Sequence, residues 1–184
     1  MKPRFFSSST EWRDWLQTHH AQETELFVGF YKRGSGRPSL TWSEAVDEAL
    51  CFGWIDSVCR SIDRTRYCLR FSPRKPSSIW SKVNIAKAEA FIASGRMTPA
   101  GLEKFQGRSA AKCGVYAFEQ GKIRFDAKTT AAFKADRAAW EFFQKRGPGY
   151  RKRMTWWVIN ARQSATRERR LAKLIQACRQ QTLL

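Results

Sequence analysis

The chain reads as an α+β protein, with a small antiparallel or mixed sheet packed by helices in the first half and a helical module after it. Three observations point there. Every segment with strand character lies in the first half: Phe5-Phe6, Glu25 to Lys32, Ile55 to Ser61 and Arg66 to Ser72. From Asp126 onward the apolar residues recur only at helical spacing. With 184 residues, 42% hydrophobic and 14% aromatic, the chain is long enough for an ordinary core and too apolar to be disordered. Strands followed by helices, rather than alternating with them, separate α+β from α/β. The expected organisation is an α+β domain over 1–120 and a helical module over 121–184, packed together as one unit.

Each element follows from local signals. Phe5-Phe6 suits a brief edge strand, and Ser7 to Thr10 offers N-cap residues for a helix over 10–20 that carries Trp12, Trp15 and Leu16 on one stripe. Adjacent His19 and His20 close that helix, as cations suit a C-terminus. Glu25 to Lys32 is apolar on both sides, which predicts a central strand. Thr41-x-x-Glu44 is a capping box and Gly53 a natural stop, so a helix spans the interval with Ala45, Val46, Ala49 and Leu50 inward and Glu44, Asp47 and Glu48 outward. Ile55 to Ser61 and Arg66 to Ser72 form a hairpin. One face would hold Ile55, Ser57, Cys59, Tyr67, Leu69 and Phe71, the other Asp56, Val58, Arg60, Arg66, Cys68 and Arg70, and a one-residue slip would swap them. Ser77/Ser78 caps a helix to about Ser94, and Thr98-Pro99 starts another to about Gly107. Residues 107–125 stay open, with Val115 to Phe118 readable as strand or loop. Asp126 and Asp136 each cap a helix, Gly147-Pro148-Gly149 is a break, and helices over 149–162 and 167–181 finish the chain.

The net charge of +18 points to an anionic partner, or else to a basic surface without one. It is unevenly placed. Residues 1–56 carry six basic and eight acidic side chains, 57–82 seven and one, 83–144 ten and six, and 145–184 eleven and one. The five cysteines are odd in number and form no C-x-x-C pair, which excludes a disulfide framework and a zinc ribbon and fits a reducing compartment. No signal-peptide h-region and no long apolar run is visible, so a cytoplasmic protein without a membrane span is expected. No cofactor or metal site is expected: two adjacent histidines on a helix cannot both face one metal.

Leu50 to Asn84 is the stretch richest in chemistry. Arg60, Arg70, Arg74, Lys75 and Lys82 surround a helix start at Ser77/Ser78, where free N–H groups attract anions. Trp54, Tyr67 and Trp80 could form a stacking wall, and Asn84 follows. These residues, with Asp56, make up a candidate site for an anionic or aromatic small molecule. The alternative is structural: the tryptophans as core and the arginines solvated or paired with Asp56 and Asp63. Asp56 is the sole weak catalytic candidate, as a general base in a Trp54/Asp56/Trp80 cleft; structurally it would hold Arg60, Arg66 or Lys82. Ser81 and Cys51 lack a histidine partner, which argues against a nucleophilic triad. A separate nucleic-acid reading uses Arg151, Lys152, Arg153, Arg167, Arg169, Arg170 and Lys173 to track a phosphate backbone, without a recognised binding signature.

Motifs along the chain resemble the YdeI/OmpD-associated, or bacteriocin-protection, family. They are Leu50-Cys51-Phe52-Gly53-Trp54-Ile55-Asp56, Asp63-x-x-Arg66-Tyr67, Arg70-Phe71-Ser72-Pro73-Arg74-Lys75-Pro76, Ser78-Ile79-Trp80-Ser81-Lys82-Val83-Asn84 and Gly95-Arg96-Met97-Thr98-Pro99-Ala100-Gly101. The second half adds Tyr150-Arg151-Lys152, Trp157-x-x-x-Ala161 and Thr166-Arg167-x-Arg169-Arg170-x-x-Lys173. The resemblance extends over nearly the whole chain, except 108–125, and departs at Ser57, where many relatives have Gly. It implies a fold similar to small bacterial α+β proteins of the YdhG type and a role in tolerance of bacteriocins or cationic peptides. It brings no catalytic residues. The expected function is a non-catalytic bacterial stress-tolerance protein that binds its ligand through 50–84.

Overall fold

The computed structural model describes residues 2–37 and 39–184, and these form two compact units, one through Cys113 and one from Gly114 to Leu184. The first unit is a mixed sheet packed by helices and the second is helical, an α+β protein. The division falls at 113/114, where the sequence suggested 120/121.

In the first unit β1 (Arg4–Phe5), β2 (Leu26–Tyr31), β3 (Trp54–Ser61) and β4 (Arg66–Pro73) lie in the order β1-β2-β4-β3, with β1 parallel to β2 and the other pairs antiparallel. The apolar strand β2 is central and the short β1 is an edge. Helices α1 (Ser9–His19), α2 (Trp42–Cys51), α3 (Lys82–Ala93) and α4 (Pro99–Gln106) accompany it. The core places Trp12, Leu16, Val28, Phe30, Leu50, Trp54 and Phe71 out of solvent. Buried indoles find partners, as they must: Trp12 Nε1 donates to the Ala45 carbonyl at 3.0 Å, and Trp54 Nε1 to that of His20 at 3.2 Å.

Three sequence expectations are corrected. A β-bulge between Asp56 and Cys59 adds one residue to β3, so Asp56 pairs with Phe71 while Cys59 pairs with Leu69. Cys59 therefore shares a face with Leu69 and Tyr67 as expected, but Asp56 joins that face and Ile55 leaves it. Glu48, expected outward, is 6% exposed. Its two carboxylate oxygens each take an arginine at 2.6 Å, Arg13 from α1 and Arg96 from the α3–α4 connection. Finally, α3 begins at Lys82 rather than after Ser77/Ser78. Ser81 is its N-cap, accepting from the Asn84 N–H at 3.1 Å, while the Ser78 hydroxyl accepts from the Lys75 N–H.

The end of α2 is the tightest junction. Gly53 stops the helix with φ +72°. The Cys51 carbonyl, left over at that end, accepts from the Thr98 N–H at 3.0 Å and the Thr98 hydroxyl at 2.6 Å. Thr98 in turn caps α4 through the Gly101 N–H. This close approach needs Gly101, where a Cβ would stand 2.2 Å from the Cys51 oxygen. Burial pushes the Cys51 thiol up, against a weaker opposing pull from Arg13.

The second unit holds α5 (Ala127–Lys134), α6 (Arg137–Gln144), α7 (Pro148–Ile159) and α8 (Ser164–Arg179) around Phe133, Phe143, Val158, Leu174 and Cys178. The open question at 107–125 resolves into two 3-10 turns, Ala110–Lys112 in the first unit and Ala117–Glu119 in the second. Asp126 and Asp136 cap α5 and α6. Asp136 also binds Arg179 of α8 at 2.6 Å. The Ala139 N–H, then Arg179, hold its carboxyl below the usual value of 3.8.

Gly101→Ala should lower the unfolding free energy by about 1–3 kcal/mol, read as a lower midpoint in urea denaturation. Asp136, with a depressed folded pKa, contributes stability that is present above pH about 4 and lost as pH falls through the depressed value. Asp136→Asn should therefore lower Tm at neutral pH, and the gap from the parent should close as the pH falls through the depressed value of the folded state.

Candidate ligand-binding site

The central stretch folds into core and surface rather than into one cleft. Arg74 anchors it. Arg74 is 4% exposed and its guanidinium lies 3.7 Å over the Trp80 ring; its Nη1 donates to the Ile79 carbonyl at 3.3 Å, while its backbone N–H donates to the Gly53 carbonyl at 2.8 Å. Trp80, 2% exposed, meets Phe105 edge-on, and its backbone N–H donates to the Lys112 carbonyl at 3.0 Å. Trp54 packs edge-on to Trp15. Both tryptophans are thus core, as the structural alternative had it.

The remaining members are dispersed. Arg70 pairs with Glu25 at 2.6 Å, and Arg66 with Asp63 at 2.7 Å. The Thr65 N–H, with Arg66, holds the Asp63 carboxyl far below the usual range. Arg60 is exposed, 5.7 Å from the Phe27 ring centroid. Tyr67 stacks on Phe30, and burial raises its phenol. Lys75 and Lys82 are exposed, and Asn84 serves the α3 cap through its backbone. Asp56 accepts from the Trp42 indole N–H at 2.9 Å, a partner different from the arginines and lysine expected. The bulge explains this: it turns Asp56 to the face on which α2 begins. Trp42, 53% exposed, borders a cleft of about 680 Å³ with Tyr31, Tyr67, Lys32, Arg33 and Arg37.

The helical unit contains a more enclosed set of cations than the sequence implied. The sequence predicts Arg151 and Lys152 on a phosphate-tracking surface. Instead, Lys152 donates to the Gln120 carbonyl at 2.5 Å and the Phe118 carbonyl at 3.4 Å, and Arg151 donates to Gln144 Oε1 at 2.9 Å. Arg167 turns to the Ala161 carbonyl and Arg170 to that of Trp157. Arg153, Arg169 and Lys173 stay exposed. Lys152, together with a bond from the Trp156 indole to the Val115 carbonyl at 2.9 Å, ties the segment after Gly114 to α7.

That segment and α5–α7 line an open, shallow pocket of about 890 Å³. Lys122, Arg124, Arg151 and Lys152 line it with Phe125, Trp140 and Phe143, and among the described residues its wall holds no carboxylate. Thr130, Gln144 and Thr155 add neutral hydrogen-bonding groups. Four cations without a counter-acid attract an anion, and aromatic walls suit an apolar body. The basic-aromatic alternation Lys122-x-Arg124-Phe125 was the available signal. The segment has no regular periodicity, so that alternation does not by itself indicate which way the side chains face. Among the described residues there is no group of three His, Cys, Asp or Glu placed to hold a metal, and no helix long and apolar enough to cross a membrane.

Comparison with known proteins divides the chain in the same two parts. Residues 4–104 match a family described as a domain of unknown function (DUF8412), and residues 123–181 match one described as bacteriocin-protection, YdeI or OmpD-associated. No curated protein and no solved structure matches. The motifs from Leu50 to Gly101 thus fall in the first match, and those from Tyr150 to Lys173 in the second. The chain belongs to the DUF8412 family through residues 4–104, more than half its length, and its residues 123–181 match the bacteriocin-protection, YdeI or OmpD-associated family.

Proposed function

We propose that this is a non-catalytic bacterial stress and antimicrobial-tolerance protein, and that it binds an anionic ligand with an aromatic or apolar part in the pocket of the helical unit. The tolerance role is supported by the match over 123–181. The ligand class rests on one observation: four cations and three aromatic rings share a concave wall free of carboxylates. Arg151 and Lys152 are held in place by Gln144 and two backbone carbonyls, so they need little reordering when an anion arrives. The ligand site expected at 50–84 shifts to this pocket, since Trp54 and Trp80 are committed to the core.

Titration with an anionic aromatic probe, anilinonaphthalene sulfonate, should give saturable fluorescence enhancement at one site, and an uncharged naphthylamine should bind far more weakly. Arg151→Gln and Arg124→Gln should each weaken the sulfonate about tenfold or more, the value of one charge-assisted hydrogen bond. Unchanged binding in both variants would place the probe elsewhere and remove this reading.

A further inference from the structure

The sheet of the first unit has a face that its helices do not use. The core draws on Leu26, Val28 and Phe30 of β2, with Tyr67, Leu69 and Phe71 of β4. The alternate residues, Phe27, Gly29 and Tyr31, with Arg66, Cys68 and Arg70, point the other way, and none belongs to that core. Across this second face the register sets Phe5 beside Gly29, Gly29 beside Cys68 and Cys68 beside Arg60.

These pairings build a strip of three aromatic rings. Phe5 lies over Gly29, where a Cβ would stand 2.6 Å from its ring atoms, so only glycine lets the ring cross β2. Phe5 and Tyr31 have centroids 5.1 Å apart, and Phe27 continues the strip along the same strand. From Phe27 to Tyr31 the strand rises about 13 Å. All three rings are partly exposed. Over each stands an arginine from another segment: Arg60 at 5.7 Å from the Phe27 centroid, Arg66 at 6.0 Å from that of Phe5 and Arg37, which also donates to the Tyr31 hydroxyl at 3.3 Å, at 5.5 Å from that of Tyr31. These guanidinium groups stand well off the rings, in contrast to the 3.7 Å stack of Arg74 on Trp80. Arg66 and Arg70 are steadied by Asp63 and Glu25, whereas the eight ion pairs found among the described residues include neither Arg37 nor Arg60.

We infer that this face binds single-stranded nucleic acid, with bases stacked on Phe5, Phe27 and Tyr31 and phosphates taken by Arg37 and Arg60. Three observations favour this polymer. A row of rings on a sheet is what unpaired bases stack on, and every base has such a face. The arginines accompany the rings rather than forming a separate patch, so one strand can meet both with its phosphates and its bases. The chain's net charge of +18 complements a polyanion. This surface lies in a different unit from the pocket and from α8, the helix carrying Arg169 and Lys173.

The test uses the full chain and a fluorescein-labelled oligothymidylate of about twelve nucleotides, followed by anisotropy at roughly 0.2 M salt, where purely electrostatic binding has faded and stacking persists. Saturable binding is expected, with a duplex of equal length bound more weakly. Phe27→Ala should weaken the single strand about tenfold, and so should Arg60→Gln, an exposed position whose replacement leaves the core intact. The double variant Arg169→Gln/Lys173→Gln should bind as the parent does. Equal affinity for duplex, or no change in both Phe27→Ala and Arg60→Gln, would overturn the inference. So would binding to anionic phosphatidylglycerol vesicles but not to the oligonucleotide, which would make the face a lipid-docking surface.

Discussion

The burial of Glu48 is the constraint on which the first unit turns. A carboxylate taken out of water is costly unless both oxygens are answered. Here Arg13 and Arg96 answer them, one from the first helix and one from a connection 48 residues along the chain. Arg13 also donates to the Arg96 carbonyl at 3.1 Å, which closes the group on itself. One charge on α2 thereby sets the positions of α1 and of the segment leading into α4. The junction of Cys51, Thr98 and Gly101 lies a turn further along α2 and depends on that placement. An apolar residue at Glu48 could fill the same space, but it would not choose between arrangements of the helices around it.

With the helices held to one face, the sheet has two unlike sides. The covered side carries the aliphatic and aromatic core, and the bulge in β3 brings Asp56 to it, where the carboxylate meets the Trp42 indole at the cleft rim. The other side keeps Phe5, Phe27 and Tyr31 with their arginines. An antiparallel sheet tolerates this asymmetry because its strands alternate residue by residue. The helical unit solves a different problem. Several of its many cations turn back to backbone carbonyls or line a pocket instead of spreading over the surface.

Much of the fold was legible residue by residue. The caps at Thr41, Thr98, Asp126 and Asp136 each bond to a backbone N–H three residues away, so they mark helix starts without help from the rest of the chain. Strand β2 was recognisable from its two-sided apolar run, and Gly53 from its place after α2. The site was less legible. Trp54, Arg74 and Trp80 stood out because aromatic and cationic residues mark both cores and ligand sites, and composition alone does not separate the two. Lys122 to Phe125 stayed hidden because an irregular segment has no period to read.

By itself, then, the sequence determined the fold class, most helix boundaries and the cationic character of the protein, since these depend on neighbours in the chain or on sums over it. The tertiary structure alone decided that Glu48 is buried, that the β3 bulge turns Asp56 toward Trp42, and that Arg151 and Lys152 face a pocket. Each of those outcomes is set by a partner many residues away, and local propensity contains no information about which distant group will be there to satisfy a charge.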